Sequence, residues 1–247
     1  MLDFAMKIAA LWTNWVEVPL LSQGLSDPTM LQKVREAVVF LIALILSIAV
    51  HEFGHAYMAD RLGDRTPRYQ GRVTLNPIAH IDPIGTLVMP LVIFFSGWPL
   101  IGWGKPVMVN PAAFTRKLRM KTANLIVAAA GPTMNVLLGL LVTVIYAVLL
   151  ATGLVHAGSP LNHGIVGVIF LNFALAFFNL IPVPPLDGGA VLAGLLPDRF
   201  DNVNQFLRQY GWLILIGLLL TGAVSYFLIP AQYITIFFIS LAHRVAG

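Results

Sequence analysis

The chain has 247 residues, 58% of them hydrophobic and 11% charged, with a formal net charge of +4 and a mean hydropathy of +0.83. That balance excludes a water-soluble globular domain and reads as a polytopic membrane protein. There is no cysteine, which excludes disulfides and thiolate metal ligands, so any metal has to be held by His and carboxylates.

Residues 1–21 are apolar but carry Asp3, Lys7 and Glu17 and lack a small-residue cleavage pattern, so they predict an interfacial or partly inserted helix rather than a signal peptide. The first full helix is expected over Val38–Asp60, ending near Gly63. Arg61, Arg65, Arg68 and Arg72 follow it, whereas Lys33 and Arg35 precede it, which places its C-terminal end on the cytoplasmic side. The basic clusters at 61–72 and 116–121 adjoin apolar segments and set membrane orientation; they are not a nucleic-acid signal. Residues 83–104 are uncharged, but the apolar run 84–97 is short for a crossing and basic residues follow again at 116–121, so a re-entrant element is expected there. Residues 99–111, with Gly and Pro at the turns, predict a short β-hairpin or edge strand.

From Thr122 to Leu186 there is no Asp, Glu, Lys or Arg. The polar break at 156–164 divides this stretch into spans over 123–154 and 164–181. A second uncharged stretch, 209–243, is interrupted around Ser225 and Pro230 and predicts one or two further helices. The expected fold class is therefore an all-α polytopic membrane protein of about four to six transmembrane helices, with a re-entrant element and a β-hairpin after the first of them. It forms a single membrane-embedded domain: an N-terminal interfacial segment at 1–36, a core at 37–195 and C-terminal helices at 196–247. The length leaves no room for an appended soluble module.

At the end of the apolar run Ala37–Val50 stands His51-Glu-Phe-Gly-His55. On a helix the two His lie one turn apart on one face and can grip one zinc, with Glu52 beside them as a base for the attacking water. A metal-free, mutually satisfied His-Glu-His cluster is the bland alternative. Against it, an acid at membrane depth costs roughly 2.5–3.5 kcal/mol and defaults to function.

A catalytic zinc takes three protein ligands and keeps one position open. Glu17 and Glu36 both precede the motif, which disfavours ligand sets with a downstream Glu. A third His six residues after His55 is ruled out by Arg61, and Met58 stands where that pattern has Gly. Between Asp82 and Asp198 the single acid is Asp187, which follows Asn179-Leu-Ile-Pro-Val-Pro-Pro-Leu186 and precedes Gly188 and Gly189. Prolines 182, 184 and 185 cannot continue a helix, and irregular backbone at this depth has to be buried or line a wet cavity. The two glycines remove side chains where another helix or a substrate approaches. Asp187 can cap a short helix at 188–195 or complete the metal site. An acid closing a long uncharged stretch, opposite two His, favours the ligand.

The pairing of His51-Glu-Phe-Gly-His55 with Asn179-Leu-Ile-Pro-Val-Pro-Pro-Leu-Asp187-Gly resembles the site-2 protease family of intramembrane zinc metalloproteases. Gly71-Arg-Val-Thr-Leu-Asn-Pro77, His80-Ile-Asp-Pro83, Gly102-Trp-Gly-Lys-Pro106 and Ala130-Gly-Pro-Thr-Met-Asn135 are similar to its compact prokaryotic branch. The resemblance covers roughly residues 38–195; PDZ and CBS modules found in many relatives are absent from it. It implies one Zn2+ per chain on His51, His55 and Asp187, Glu52 as catalytic base, and Asn179 as a partner of the scissile carbonyl. It implies a transmembrane protein or peptide as substrate, cleaved within the inner (plasma) membrane nearer its cytoplasmic side, for regulation or for clearance of signal-peptide remnants. The other partner is the lipid bilayer, with no nucleic acid; a homo-oligomer is compatible with this reading. A zinc transporter could use the same ligands, but it leaves the Glu beside His51 unexplained.

Among lesser candidates, Asn135 is expected to make an interhelical hydrogen bond to the zinc helix, with Gly131 allowing close approach. His80 and Asp82 are expected in an Asx-stabilised turn before Pro83. His156, His163 and His243 read as bystanders, and Trp98, Trp103 and Trp212 as interfacial anchors.

Overall fold

Inside a bilayer every backbone N–H and C=O has to find its partner within the chain, and a helix satisfies that demand one segment at a time. The computed structural model describes residues 28–90, 92, 104–115 and 117–247, and all regular structure among them is helical. The helices are α1 (Pro28–Arg61), α2 (Thr66–Tyr69), α3 (Met120–Ala151), α4 (Pro160–Asn179), α5 (Asp187–Leu195), α6 (Asp201–Leu220) and α7 (Val224–Ala246). Four segments among the described residues are long and apolar enough to cross a membrane: Ala37–Arg61, Met120–Ala151, Pro160–Asn179 and Val224–Ala246. The uncharged stretch 122–186 thus folds as the two spans expected of it. The stretch 209–243 divides between α6 and α7.

Contacts along the helices fix their directions. Ala59 of α1 packs with Ala123 and Val127 near the start of α3, and the Ser47 carbonyl of α1 meets Asn135 further along, so the two helices run antiparallel. At the other end, Phe238 of α7 stacks on Phe173 of α4 beside Gly139 of α3, and His243 reaches Tyr146. Hence α7 runs parallel to α3. Lys121, at the start of α3, holds the Leu196 carbonyl at 2.6 Å and Asp198 at 3.0 Å, which anchors the beginning of α6 at that same end. Because α7 also starts toward this end, α6 returns the chain to the face it left. It rests on the loop before α5, where Gly211 lies against Pro184 so closely that a Cβ would overlap the Pro184 carbonyl.

The main apolar core lies between α3, α4 and α7, around Tyr146, Ile169, Phe173 and Ala231, all with almost no exposed surface. The outward faces of α1, α3 and α7 carry large apolar side chains such as Ile42, Leu141, Val144 and Phe237, as a lipid-facing bundle requires.

Two sequence expectations change here. No strand occurs among the described residues, and 104–110 is extended chain without a ladder. Three of its backbone donors are already claimed: Lys105 N–H by the His80 carbonyl (2.9 Å), Val107 N–H by Glu52 (3.1 Å) and Asn110 N–H by Asp64 (2.6 Å). A ladder cannot form through donors spent in this way; the rest of the expected hairpin, 99–103, lies outside the described residues. The re-entrant element is likewise not supported. Its described start, Pro83–Val88, is a wide helical turn capped by Asp82, whose Oδ1 accepts from Ile84 N–H (3.0 Å) and Gly85 N–H (2.7 Å); residues 91 and 93–103 lie outside the described ones. The expected N-terminal interfacial helix at 1–21 also lies outside them.

The loop after α1 is less solvated than its charges suggest. Asp64 is fully buried and accepts from Thr66 N–H (2.9 Å) as well as Asn110, while Arg72 is buried and donates to the Ala79 carbonyl. These bonds fasten 104–110 across the end of α1.

Candidate metal centre

The periodicity of α1 puts Ser47, His51, Gly54 and His55 on one face, turned toward α3. On α3 the matching face is Val127, Gly131 and Asn135, spaced by one turn. A Cβ on Gly131 would overlap His55 Nε2 and stand 2.8 Å from His51 Cε1, so only glycine leaves room for the two rings. Gly54 does the same from the other side, its absent Cβ facing the Ala130 carbonyl at 2.7 Å. Small residues on both helices thus bring α3 onto the imidazoles, as close packing in membranes requires.

Each ring is then pinned through its far nitrogen. His51 Nδ1 lies 2.6 Å from Asn135 Oδ1, and His55 Nδ1 lies 2.8 Å from the Val127 carbonyl. The latter can only accept, so His55 carries its proton on Nδ1. Pro132 lacks the N–H that would bond Ala128, which loosens the helix ladder beside this carbonyl. Held this way, the two Nε2 atoms face one another at 3.0 Å.

The third group arrives from the Pro-broken loop. Gly188 packs on the carbonyls of Leu180 and Ile181, and Gly189 on Pro184, so the chain doubles back and returns Asp187 beside the end of α4. The close approach at these glycines comes from the loop's own backbone, not from another helix. Asp187 is the first residue of α5, but the capping position is Leu186 and no side-chain cap bond forms. Its Oδ2 instead stands 3.1 Å from His51 Nε2 and 3.3 Å from His55 Nε2, and this buried oxygen has no hydrogen-bond partner among the described residues. Burial alone would raise this carboxyl, yet His55 and His51 outweigh it and hold Asp187 below the usual carboxylate range. A metal cation or a shared proton among the three atoms relieves this crowding of acceptors.

Zinc fits that place. Tetrahedral ligands at about 2.0–2.1 Å from zinc lie about 3.3–3.4 Å apart. The triangle here has sides of 3.0, 3.1 and 3.3 Å. His51, His55 and Asp187 form the one group able to hold a metal among the described residues.

Glu52 is half-buried beside His51, its Oε2 accepting the Val107 N–H at 3.1 Å. Asn179 is the last residue of α4; its Nδ2 donates to the Leu175 carbonyl (2.9 Å), and no hydrogen bond joins it to the triangle. Asn135 makes the expected interhelical bond to α1, with the Ser47 carbonyl and the His51 ring as its partners there. His80 is buried and bonds Thr74 through Nε2 (2.9 Å), away from the triangle. His243 lies away from the triangle and meets Tyr146 at 3.1 Å.

Comparison with known proteins agrees with this geometry. The model of peptidase family M50 matches residues 39–164 and 151–222. YwhC of Bacillus subtilis, which carries a zinc-metalloprotease name, is 36% identical over 193 residues, 77% of this chain and 84% of that protein. Rip2 of Mycolicibacterium smegmatis, similarly named, is 31% identical over 196 residues, covering 76% of this chain and 70% of its own. Rip2 of Mycobacterium tuberculosis (H37Rv) is 29% identical over 220 residues, 87% and 81% of the two chains. No solved structure gives a significant match. With the family model spanning most of the chain and a zinc-ready triangle between helices able to cross a membrane, the chain belongs to peptidase family M50, the site-2 protease family, as a zinc metallopeptidase.

Proposed function

We propose that the chain hydrolyses peptide bonds in or near transmembrane segments of membrane proteins, with His51, His55 and Asp187 holding zinc, Glu52 as general base and Asn179 as a donor to the scissile carbonyl. One observation carries this reading: the three ligand atoms converge on a helix face that belongs to a span, Ala37–Arg61. Zinc bound there supplies a Lewis acid for the carbonyl and brings water to reactivity near neutral pH.

The chain's own groups do the rest. Glu52 removes the proton from the attacking water and delivers it to the leaving amine. The Val107 N–H on its Oε2 fixes the rotamer and leaves Oε1 for the proton. Asn179 spends one amide proton on Leu175 and keeps the second for the substrate carbonyl or its oxyanion. A helical substrate has to unwind first, because its carbonyls are already bonded within the helix. The extended chain at 104–110 lies beside Glu52 and offers an unwound segment its carbonyls rather than the N–H groups of Lys105, Val107 and Asn110, which are already bonded. The catalytic core is 37–195, and 196–247 supplies the C-terminal helices. The Arg-rich loop after α1 supports a cytoplasmic position for that end in the inner membrane, with the metal site nearer the same side.

Glu52→Gln separates binding from chemistry. The purified variant is expected to keep its zinc while cleavage falls by about 10²–10⁴-fold, the range for a lost general base. Membrane proteomes of cells carrying the native chain or Glu52→Gln identify the substrate as a membrane peptide that accumulates only with the variant. Undiminished cleavage by Glu52→Gln ends this account, and metal flux through proteoliposomes without peptide cleavage would replace it with transport.

A further inference from the structure

We infer that Asn172, which touches neither the metal ligands nor the substrate path, is a positioning residue for zinc: acting through Asn135, it sets the tautomer and rotation in which His51 points Nε2 at the metal. The inference rests on the assignment of His51, His55 and Asp187 as the zinc ligands. Asn172 on α4 and Asn135 on α3 both have no exposed surface.

Four hydrogen bonds make a chain through them with a single direction. Asn172 Nδ2 donates to the Val168 carbonyl (2.9 Å), which leaves Asn172 Oδ1 as an acceptor. Asn135 Nδ2 donates to that Oδ1 (3.2 Å) and to the Ser47 carbonyl (3.1 Å). Asn135 therefore presents Oδ1, and only Oδ1, to His51 Nδ1 at 2.6 Å. The direction is set by the backbone carbonyls of Val168 and Ser47, which can accept but never donate. His51 must then carry its proton on Nδ1 and keep a lone pair on Nε2.

An asparagine side chain can turn over with almost no change of shape. Turned over, Asn135 would offer N–H to His51 Nδ1, drive the ring proton to Nε2 and remove that nitrogen as a ligand. The Ser47 carbonyl opposes the flip on one amide proton, and Asn172 on the other. His55 needs no such chain, since its Nδ1 meets a backbone carbonyl directly.

The test measures zinc affinity of the full-length chain in detergent by competition with a chromophoric chelator, together with the absorption spectrum after cobalt substitution. Asn172→Leu, similar in shape but unable to accept, is expected to weaken zinc about tenfold, and Asn135→Leu by about 10–100-fold. Asn172→Asp keeps an acceptor oxygen and should restore both the affinity and the cobalt spectrum. Since Asn172 acts through Asn135, the Asn135→Leu/Asn172→Leu chain should lose no more than Asn135→Leu alone. If Asn172→Leu does not fold, Asn172→Ala takes its place under the same criteria. Native affinity and spectrum in a folded Asn172→Leu, or additive losses in the double variant, overturn the inference while leaving the ligand assignment intact. Failure of the native chain to bind zinc overturns the ligand assignment, and the relay with it.

Discussion

The bundle holds two polar knots between helices, one buried and one part-buried around Tyr146, and they are built to opposite ends. At one, His51, His55, Asp187, Asn135 and Asn172 join α1, α3, α4 and the start of α5. At the other, Tyr146 donates to Asn162 Oδ1 at 2.6 Å and meets His243 Nε2 at 3.1 Å, joining α3, α4 and α7. The second knot closes on itself, each polar group answering another. The first has every outer position satisfied and its centre left open, with two ring nitrogens and an unpartnered carboxylate oxygen crowded together. A polar cluster kept for packing has no reason to point its acceptors at one another, because each unmatched buried group costs about 1–3 kcal/mol. That difference separates a binding site from a fastening.

The sharpest way to break the contrast is to remove the charge at the open centre. Asp187→Asn keeps the shape and one oxygen but loses the anion. Zinc affinity should fall by more than about 100-fold, beyond what loss of a supporting group produces, and cleavage should vanish with it. Metal content of the purified chain decides the matter: Asp187→Asn retaining stoichiometric zinc would remove Asp187 from the ligand set. A smaller loss is expected from Gly131→Ala, whose methyl group would overlap His55 Nε2. The helices have to part or the rings have to rotate, and overpacking of this kind costs about 1–3 kcal/mol. Zinc should weaken while the chain stays folded, as followed by metal content beside helicity. Native zinc affinity in Gly131→Ala would mean that α1 and α3 approach each other less tightly than this.

Much of the open knot was legible because a membrane makes charge rare. Asp187 stood out as a solitary acid in a long uncharged stretch, and the His pair by its spacing. The partnership of Asn135 with α1 followed from its place one turn beyond Gly131. Asn172 could not be found that way, since an isolated Asn in a span carries no mark of its partner on the preceding span. The closed knot was missed for a similar reason: His243 lies far along the chain from Tyr146, and nothing local pairs them. The extended run 104–110 was recognised as extended, but a strand needs free donors, and which side chains would claim them depends on how the loop after α1 folds. Arg72 reads in the sequence as part of a basic cluster that sets orientation; only the folded loop turns it, and Asp64, inward. Apolar periodicity fixes spans well because it is a property of one segment. Polar partnerships belong to pairs of segments.

The mildest prediction concerns the closed knot, and it checks the contrast from the other side. Tyr146→Phe removes one hydroxyl from a fully buried ring and leaves Asn162 and His243 without their shared partner. Hydrogen bonds between membrane helices average about 0.6 kcal/mol and reach about 1.7 kcal/mol, so destabilisation of about 0.5–1 kcal/mol is expected. His243→Ala, which removes the exposed partner, should cost less still. Neither change alters a group near the metal triangle, so zinc affinity and the cobalt spectrum should stay at native values while the thermal midpoint drops slightly. If Tyr146→Phe weakened zinc as much as Asn172→Leu, the two knots would be coupled through α3 and α4. The distinction between a fastening and a site would then lie in distance alone, not in how each knot satisfies its own polar groups.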